Sequence, residues 1–230
     1  MPSILKTEKF TVMKKRVKST LRSYLEVVII SLIIGLALRT FVVQAYKIPT
    51  HSMENALLAG DFVLVNKFIY NFTTPQPGDV VVFKYPLNPS KDFIKRCVAI
   101  EGQTVQIIDK ALYVDGKRVG NQKWEKFLDP LVYPEEYSPR DNFGPLQVPF
   151  GQIFVLGDNR DNSKDSRYWG FLDLKYIKGK AFLTYWSWKP DASSPELKFP
   201  YIFSALQVFF YHLVHLPDRV RWERIGGVVR

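Results

Sequence analysis

Hydrophobic and polar positions divide the 230-residue chain into three regimes. Tyr24 to Val43 is apolar except for Glu26 and Arg39, and these twenty residues would extend about 30 Å as a helix, the thickness of a hydrocarbon core. The charge-free part, Val27 to Leu38, is only twelve residues long, so a spanning helix puts Glu26 and Arg39 near the two interfaces, Arg39 by snorkelling. From Lys47 to about Tyr185 the pattern becomes short β-branched and aromatic runs: Phe62–Val65, Val80–Tyr85, Thr104–Ile108, Ala111–Val114, Ile153–Leu156 and Lys180–Trp186. Turn chemistry separates them at Pro77-Gly78-Asp79, Glu101-Gly102, Asp115-Gly116 and Gly157-Asp158-Asn159. Many short strands with no helix-period segment between them predict a mainly β domain of antiparallel sheet, with a two-residue hairpin at Asp115-Gly116.

Two further stretches break this pattern. Residues 120–149 are polar, aromatic and rich in proline (Pro130, Pro134, Pro139, Pro145, Pro149), which predicts an extended surface excursion with little regular structure. Residues 199–216 form a second apolar patch, followed by Arg219, Arg221 and Arg224. It could span a bilayer, lie in its interface or pack as an ordinary helix; Gln207, His212 and His215 favour the interface. The expected organisation is a basic N-terminus (1–22), a membrane anchor (23–43), a β-rich catalytic domain (44–188) and a C-terminal loop with an apolar, helix-compatible segment (189–230).

The net charge is +10, but its distribution says more than its total. Met1 to Arg22 holds seven Lys or Arg against the single acid Glu8. A basic flank before an apolar span reads as a signal-anchor: N-terminus in the cytoplasm, the remainder outside, one pass through the inner membrane. A cleaved secretory signal fits less well, because no A-x-A-like site closes the apolar run. Confinement of the excess charge to one membrane flank also argues against nucleic acid as a partner. One cysteine excludes a disulfide framework, and three histidines without ligand spacing give no metal site and call for no cofactor.

Three segments carry candidate chemistry: Ile48-Pro49-Thr50-His51-Ser52-Met53 just beyond the anchor, a β-like run Asp92–Ile100 with Lys95 in it, and the polar stretch Gly157–Gly170. Taken singly, Ser52 reads as a loop serine, Lys95 as a strand lysine reaching water, and Asp158 and Asn159 as turn-formers. Cys97 reads as a small buried hydrophobe. A lysine held among apolar side chains would, however, lose its proton readily and offer a neutral amine near pH 7.

Together the segments resemble the bacterial type I signal peptidases. GDNRDNSKDSRYWG (157–170) matches that family's GDN-x-x-NS-x-DSR-x-WG signature without a gap; IPTHSM (48–53) resembles its nucleophile box. PGDVVVFKYP (77–86), FIKRCVAIEGQTV (93–105) and the tail Arg224-Ile225-Gly226-Gly227 resemble its other conserved boxes, in order. The resemblance implies a Ser52 nucleophile and a Lys95 general base. It implies an oxyanion hole from Thr50, where the family commonly has serine, and the Ser52 N–H. Ser163 would orient the lysine, with Asp165 and Arg167 bracing that loop as an ion pair. Substrate would extend along the sheet edges near Tyr46, Ile48, Asp92, Phe93 and Ile94. The implied reaction is removal of N-terminal signal peptides from secretory preproteins after small, Ala-X-Ala-type residues, by a membrane-bound monomer. Two other classes fit parts of the pattern: a self-cleaving Ser/Lys repressor-type protein, which the apolar segment opposes, and a membrane-anchored β module that binds exported proteins without catalysis.

Overall fold

A computed structural model describes residues 22–36, 42–120, 122–195, 198–199 and 201–229. The chain divides into two units, 1–43 and 44–230. In the first, residues 22–36 form a helix, α1, whose side chains from Tyr24 to Leu36 are exposed. Among the described residues no helix is long and apolar enough to cross a membrane. The basic stretch 1–21 and the part of the expected anchor at 37–41, with Arg39, lie outside the described residues.

The second unit is built on β1 (Val43–Lys47), β2 (Asp61–Asn66), β3 (Val80–Tyr85), β4 (Asn88–Ile100), β5 (Thr104–Ile108), β6 (Ala111–Val114) and β7 (Lys117–Arg118). It continues through β8 (Phe143–Gln147), β9 (Gln152–Leu156), the short helix α2 (Ser166–Trp169), β10 (Leu172–Asp173) and β11 (Ile177–Ser187). Helices α3 (Tyr201–Val214) and α4 (Leu216–Arg219) precede a last strand, β12 (Gly227–Val228). Strands in the order β1-β2-β11-β3-β4-β9-β10, with β12 beside β11, make the larger sheet; β7-β6-β5-β8 make the smaller. The expected mainly β, antiparallel domain is what forms.

Side-chain alternation explains how one strand serves two cores. In β3 the buried Val80 and Val82 face a cluster with Ile48, Met53, Val63 and Ile94. Val81 and Phe83, one residue out of phase, face a second cluster with Cys97, Val155 and Leu172. A third cluster joins the two sheets through Ala99, Val105, Ile107, Leu112 and Phe154. Cys97 is wholly buried in the second cluster as a small apolar group, and burial pushes its thiol up to about 12. The Asp115-Gly116 hairpin also forms, with both residues at positive φ (52° and 72°), as a two-residue turn of this hand requires.

Among the described residues of 120–149 the one named strand is β8 (Phe143–Gln147), and Pro145 is accommodated there because β8 is an edge strand, where a missing N–H breaks no ladder. The rest of the excursion is tied down by charge. Lys110 Nζ donates to the Asp129 carbonyl (2.5 Å) and to Asp161 (3.1 Å), while Arg140 pairs with Asp129 and Asp141. After α3 the chain returns to the larger sheet: Arg224 and Arg221 pair with the buried Asp61, and β12 pairs with β11.

Candidate active site

The turn holding Ser52 is clamped at both ends by backbone. The Ile48 N–H donates to the Asp61 carbonyl and the Gly60 N–H to the Ile48 carbonyl, both at 2.8 Å. Inside the turn, Met53 and Leu57 are buried in the first core cluster, and the Leu57 N–H donates to the Met53 carbonyl at 2.7 Å. Burying the residue after Ser52 fixes where its hydroxyl is presented. From the other side, the Asn159 N–H donates to the Ser52 carbonyl (3.1 Å) and the Asn159 amide to the His51 carbonyl (3.2 Å).

Lys95 reaches this hydroxyl from β4. That strand pairs with β9 only from Arg96 onward, so Asn88–Lys95 has no strand neighbour on that side and a cleft opens there. Lys95 Nζ donates to Ser52 Oγ at 2.6 Å and lies 5.6 Å from the Phe93 ring centroid. The side chain is 3% exposed, and burial lowers its pKa from 10.5 to about 8. The carboxylates of Asp165 and Asp158 push in the opposite direction, and the Arg167 guanidinium assists the lowering. Each of those carboxylates has its own arginine. Arg167 pairs with Asp165 at 2.8 Å, and Arg96 holds Asp158 through two bonds of 2.7 Å. The two ion pairs thus keep buried negative charge from re-protonating the amine.

The expected site residues divide into groups. Ser52, Lys95 and Thr50 come together, with Thr50 Oγ1 3.3 Å from Ser52 Oγ. Asp165 and Arg167 form the expected pair, and Asp165 also accepts the Gly157 N–H at 3.0 Å. Arg167 binds the carbonyls of Arg140 and Arg160, joining the excursion to the site loop. Ser163 is buried in the same loop with its hydroxyl beside the Asp165 carboxylate, and no hydrogen bond joins it to Lys95. The lysine amine points to Ser52, and Ser163 is packed under Gly157, where a Cβ would collide with the Ser163 hydroxyl and come 2.6 Å from the Ser52 carbonyl.

The cleft has a volume of about 780 Å³ and is lined by Pro49 to Ser52, Lys91 to Lys95, Asn162 and Lys164. It therefore includes the expected Asp92, Phe93 and Ile94 but neither Tyr46 nor Ile48. Both side chains turn inward: Ile48, just past β1, is buried in the first core cluster and Tyr46 packs against it. Burial and the Asp92 carboxylate push the Tyr46 hydroxyl up to about 12, while Asp92 itself pairs with Lys178 at 2.7 Å. Among the described residues, no group of His, Cys, Asp or Glu is arranged to hold a metal ion.

Sequence reasoning missed Gly157, Asn159 and the Arg96–Asp158 pair. Arg96 beside the apolar run Cys97–Ile100 was the available signal, since a buried guanidinium requires a carboxylate. Gly157 yields a direct expectation. A Gly157→Ala variant should cut turnover by about 10²-fold, because shifting Ser52 or Ser163 by about 1 Å misaligns the reacting groups. Steady-state kinetics with unchanged circular dichroism would register it; full activity would show that the packing is not needed.

Residues 21–186 match the family model described as signal peptidase, peptidase S26. Signal peptidase I of Aquifex aeolicus is 34% identical over 235 residues, covering 80% of this chain and 91% of that one. Signal peptidase I of Pseudomonas aeruginosa is 35% identical over 206 residues, covering 72% of each. A solved signal peptidase I of Enterococcus faecalis, 31% identical, covers 47% of this chain and 97% of its own, with a TM-score of 0.38.

Proposed function

The chain belongs to the signal peptidase family, peptidase S26, and from that membership and the Ser52–Lys95 contact we propose that it is a membrane-anchored serine endopeptidase removing signal peptides through a Ser/Lys dyad. Membership in a peptidase family sets aside the non-catalytic binding module. The observation that carries the mechanism is a buried lysine amine, its pKa lowered to about 8, 2.6 Å from a serine hydroxyl with no histidine intervening.

The neutral Lys95 amine takes the Ser52 proton as Ser52 Oγ attacks the scissile carbonyl, giving a tetrahedral oxyanion and a lysine ammonium. The Ser52 N–H and the Thr50 hydroxyl donate to the oxyanion. The ammonium then protonates the departing amine, and the peptide C–N bond breaks to leave an acyl ester on Ser52. Water, deprotonated by the same lysine, releases the acid and restores the serine. Ser163 and Gly157 act by position, and Asp165–Arg167 hold the loop that places them. Substrate lies extended along the open edge of β4 at Asp92–Ile94, with the backbone of Tyr46–Ile48 as its other support, since main-chain pairing tolerates diverse sequences. Shallow apolar pockets admit only small side chains one and three positions before the cut, because a larger one would clash or force repacking. The partners are secretory preproteins and the lipid bilayer, and one chain contributes every group named.

For the anchor, the support is the apolar run Tyr24–Val43 behind a basic flank, with the wholly exposed apolar α1 inside it. In this reading the apolar run anchors the chain in the bilayer, the N-terminus is cytoplasmic, and the catalytic domain stands on the outer face of the inner membrane.

The deciding experiment incubates the detergent-solubilised chain with an Ala-X-Ala preprotein, wild type against Ser52→Ala. Cleavage confined to the wild type supports the reading, and cleavage by both overturns it. Two finer outcomes follow from the geometry. Thr50→Val should slow turnover by about ten- to a hundredfold with KM little changed, the low side of the range for an oxyanion donor because its hydroxyl is solvent-exposed; an unchanged kcat removes that role. Cleavage should rise with pH as Lys95 loses its proton, about tenfold from pH 7 to pH 9, and then level off, as a base with a pKa near 8 requires. A flat profile, or one still climbing at pH 10, contradicts the base assignment.

A further inference from the structure

One short segment of the excursion, 122–126, touches all three parts of the chain that carry the dyad. It begins as a turn, the Glu125 N–H donating to the Gln122 carbonyl at 3.0 Å. Lys126 then runs beside Asn159 as a parallel bridge: its N–H donates to the Asp158 carbonyl (2.8 Å) and its carbonyl accepts the Arg160 N–H (2.9 Å). The buried Arg160 guanidinium pairs with Glu125 at 2.9 Å. Toward the nucleophile, the Asn55 amide donates to the Glu125 carbonyl (3.1 Å), and Lys126 Nζ pairs with Glu54 at 3.2 Å. Toward the base, the Trp124 ring lies over the guanidinium of Arg96, the neighbour of Lys95 in β4.

Glu54 is where these ties meet. One of its carboxylate oxygens takes Lys126 and the other accepts the Asn159 amide at 3.4 Å, so the turn just after Ser52 is held by the excursion and by the site loop at once. Asn55 follows at a φ of 96°, left-handed backbone that persists only where its surroundings fix it, and the Glu125 carbonyl does so. Asn159, whose N–H bonds the Ser52 carbonyl, is itself bracketed by the two backbone bonds from Lys126. Stability alone does not explain this arrangement. The Lys126 and Glu54 side chains are 27% and 26% exposed, and an ion pair open to water to that degree adds little to folding. A segment that only covered the core would make apolar contacts, whereas these are polar and directional.

We propose that Trp124–Lys126 is a positioning strap for the dyad: by binding Glu54 and Asn55 on one side and Asp158–Arg160 on the other, it sets where Ser52 Oγ stands over Lys95 Nζ. The inference rests on the dyad reading above and deepens it. No strap residue touches the reacting atoms; the strap acts through Glu54 and Asn159. Proton transfer across 2.6 Å leaves little slack, and a displacement of about 1 Å costs roughly one to two orders of magnitude in rate. The strap also stands outside the cleft, since none of its residues lines that cavity. Its loss should therefore appear in kcat and not in KM.

The test compares the full detergent-solubilised chain with Lys126→Met, Glu54→Gln, the double variant and Lys126→Arg on one Ala-X-Ala preprotein, with Ser52→Ala as the blank. Lys126→Met should lower kcat about tenfold, with KM within about twofold and a melting temperature close to that of the wild type. Glu54→Gln should behave alike, and the double variant should lose no more than Lys126→Met, because the two groups act as one pair. Lys126→Arg keeps the cation and should retain most of the rate. Lys175→Met, which breaks an exposed pair with Asp173 elsewhere on the surface, should leave kcat unchanged. Burst titration of the acyl-enzyme counts competent sites and separates a slower site from a smaller number of folded ones. An unchanged kcat in Lys126→Met, a rise in KM alone, additive losses in the double variant, or a loss that only follows the count of folded sites overturns the strap and leaves the dyad standing. So does a Lys126→Arg variant as slow as Lys126→Met, or equal slowing by Lys175→Met. A wild type that does not cleave, or a Ser52→Ala variant that does, overturns both.

Discussion

Ser52→Ala should lower kcat for preprotein cleavage on the order of 10⁶-fold, Lys95→Met by a similar factor, and the double variant by no more than either alone. The three changes are non-additive because the hydroxyl and the amine act as a unit: an amine without the hydroxyl has no proton to take, and the hydroxyl without the amine remains a weak nucleophile. Kinetics of the three variants against one substrate, with thermal melts to verify folding, measures this. Additive losses would mean that the 2.6 Å contact is not the reacting pair.

Replacing Lys95 with Met should also expose the cost of burying its amine. The folded-state pKa of Lys95 is about 8 against an ordinary 10.5, so the charged form is disfavoured by folding. That penalty is present in full below pH 8 and fades as the pH rises toward 10.5. At pH 7, Lys95→Met should therefore be more stable than the wild type, on the order of 2 kcal/mol after loss of the bond to Ser52, with the gain shrinking toward pH 10. Denaturant melts at the two pH values give the sign. A less stable variant at pH 7 would show that burial of the amine carries no strain.

The second large effect lies behind the dyad. Arg96 and Asp158 are 1% and 0% exposed and face each other through two hydrogen bonds of 2.7 Å, with the Arg96 guanidinium 4.4 Å from the Trp124 ring centroid. Arg96→Met should cost about 3–5 kcal/mol, since it strands a carboxylate that burial already disfavours. Against a total of about 5–15 kcal/mol for a domain, that is a large share. Arg96→Met combined with Asp158→Asn should lose distinctly less than Arg96→Met alone, because no buried charge is then left without its partner. Equal losses would trace the damage to packing against Trp124 instead.

Strand existence was legible because local chemistry specifies it. β3, β5 and β6 begin and end where the β-branched runs begin and end, since turn residues at Gly78, Gly102 and Asp115-Gly116 stop them. The reading failed where distant partners override composition. Pro145 argued against a strand at 143–147, yet β8 forms because β5 offers an edge that tolerates it. The inward direction of the Tyr46 and Ile48 side chains was not legible either, because which side faces the core is assigned only when a neighbouring sheet or core covers it.

By itself the sequence singled out Ser52, Lys95 and the 157–170 loop through the resemblance of its ordered motifs to a known family, since motif order and spacing are local properties of the chain. Only the tertiary structure decided that the Lys95 amine is buried and touches Ser52. It also decided that Asp158 is a buried charge with its own arginine and not a plain turn-former, that Ser163 makes no bond to the lysine, and that α3 turns its apolar side outward. Burial and charge pairing depend on groups brought together from far along the chain, and desolvation energies follow that assembly, so no local pattern states them in advance.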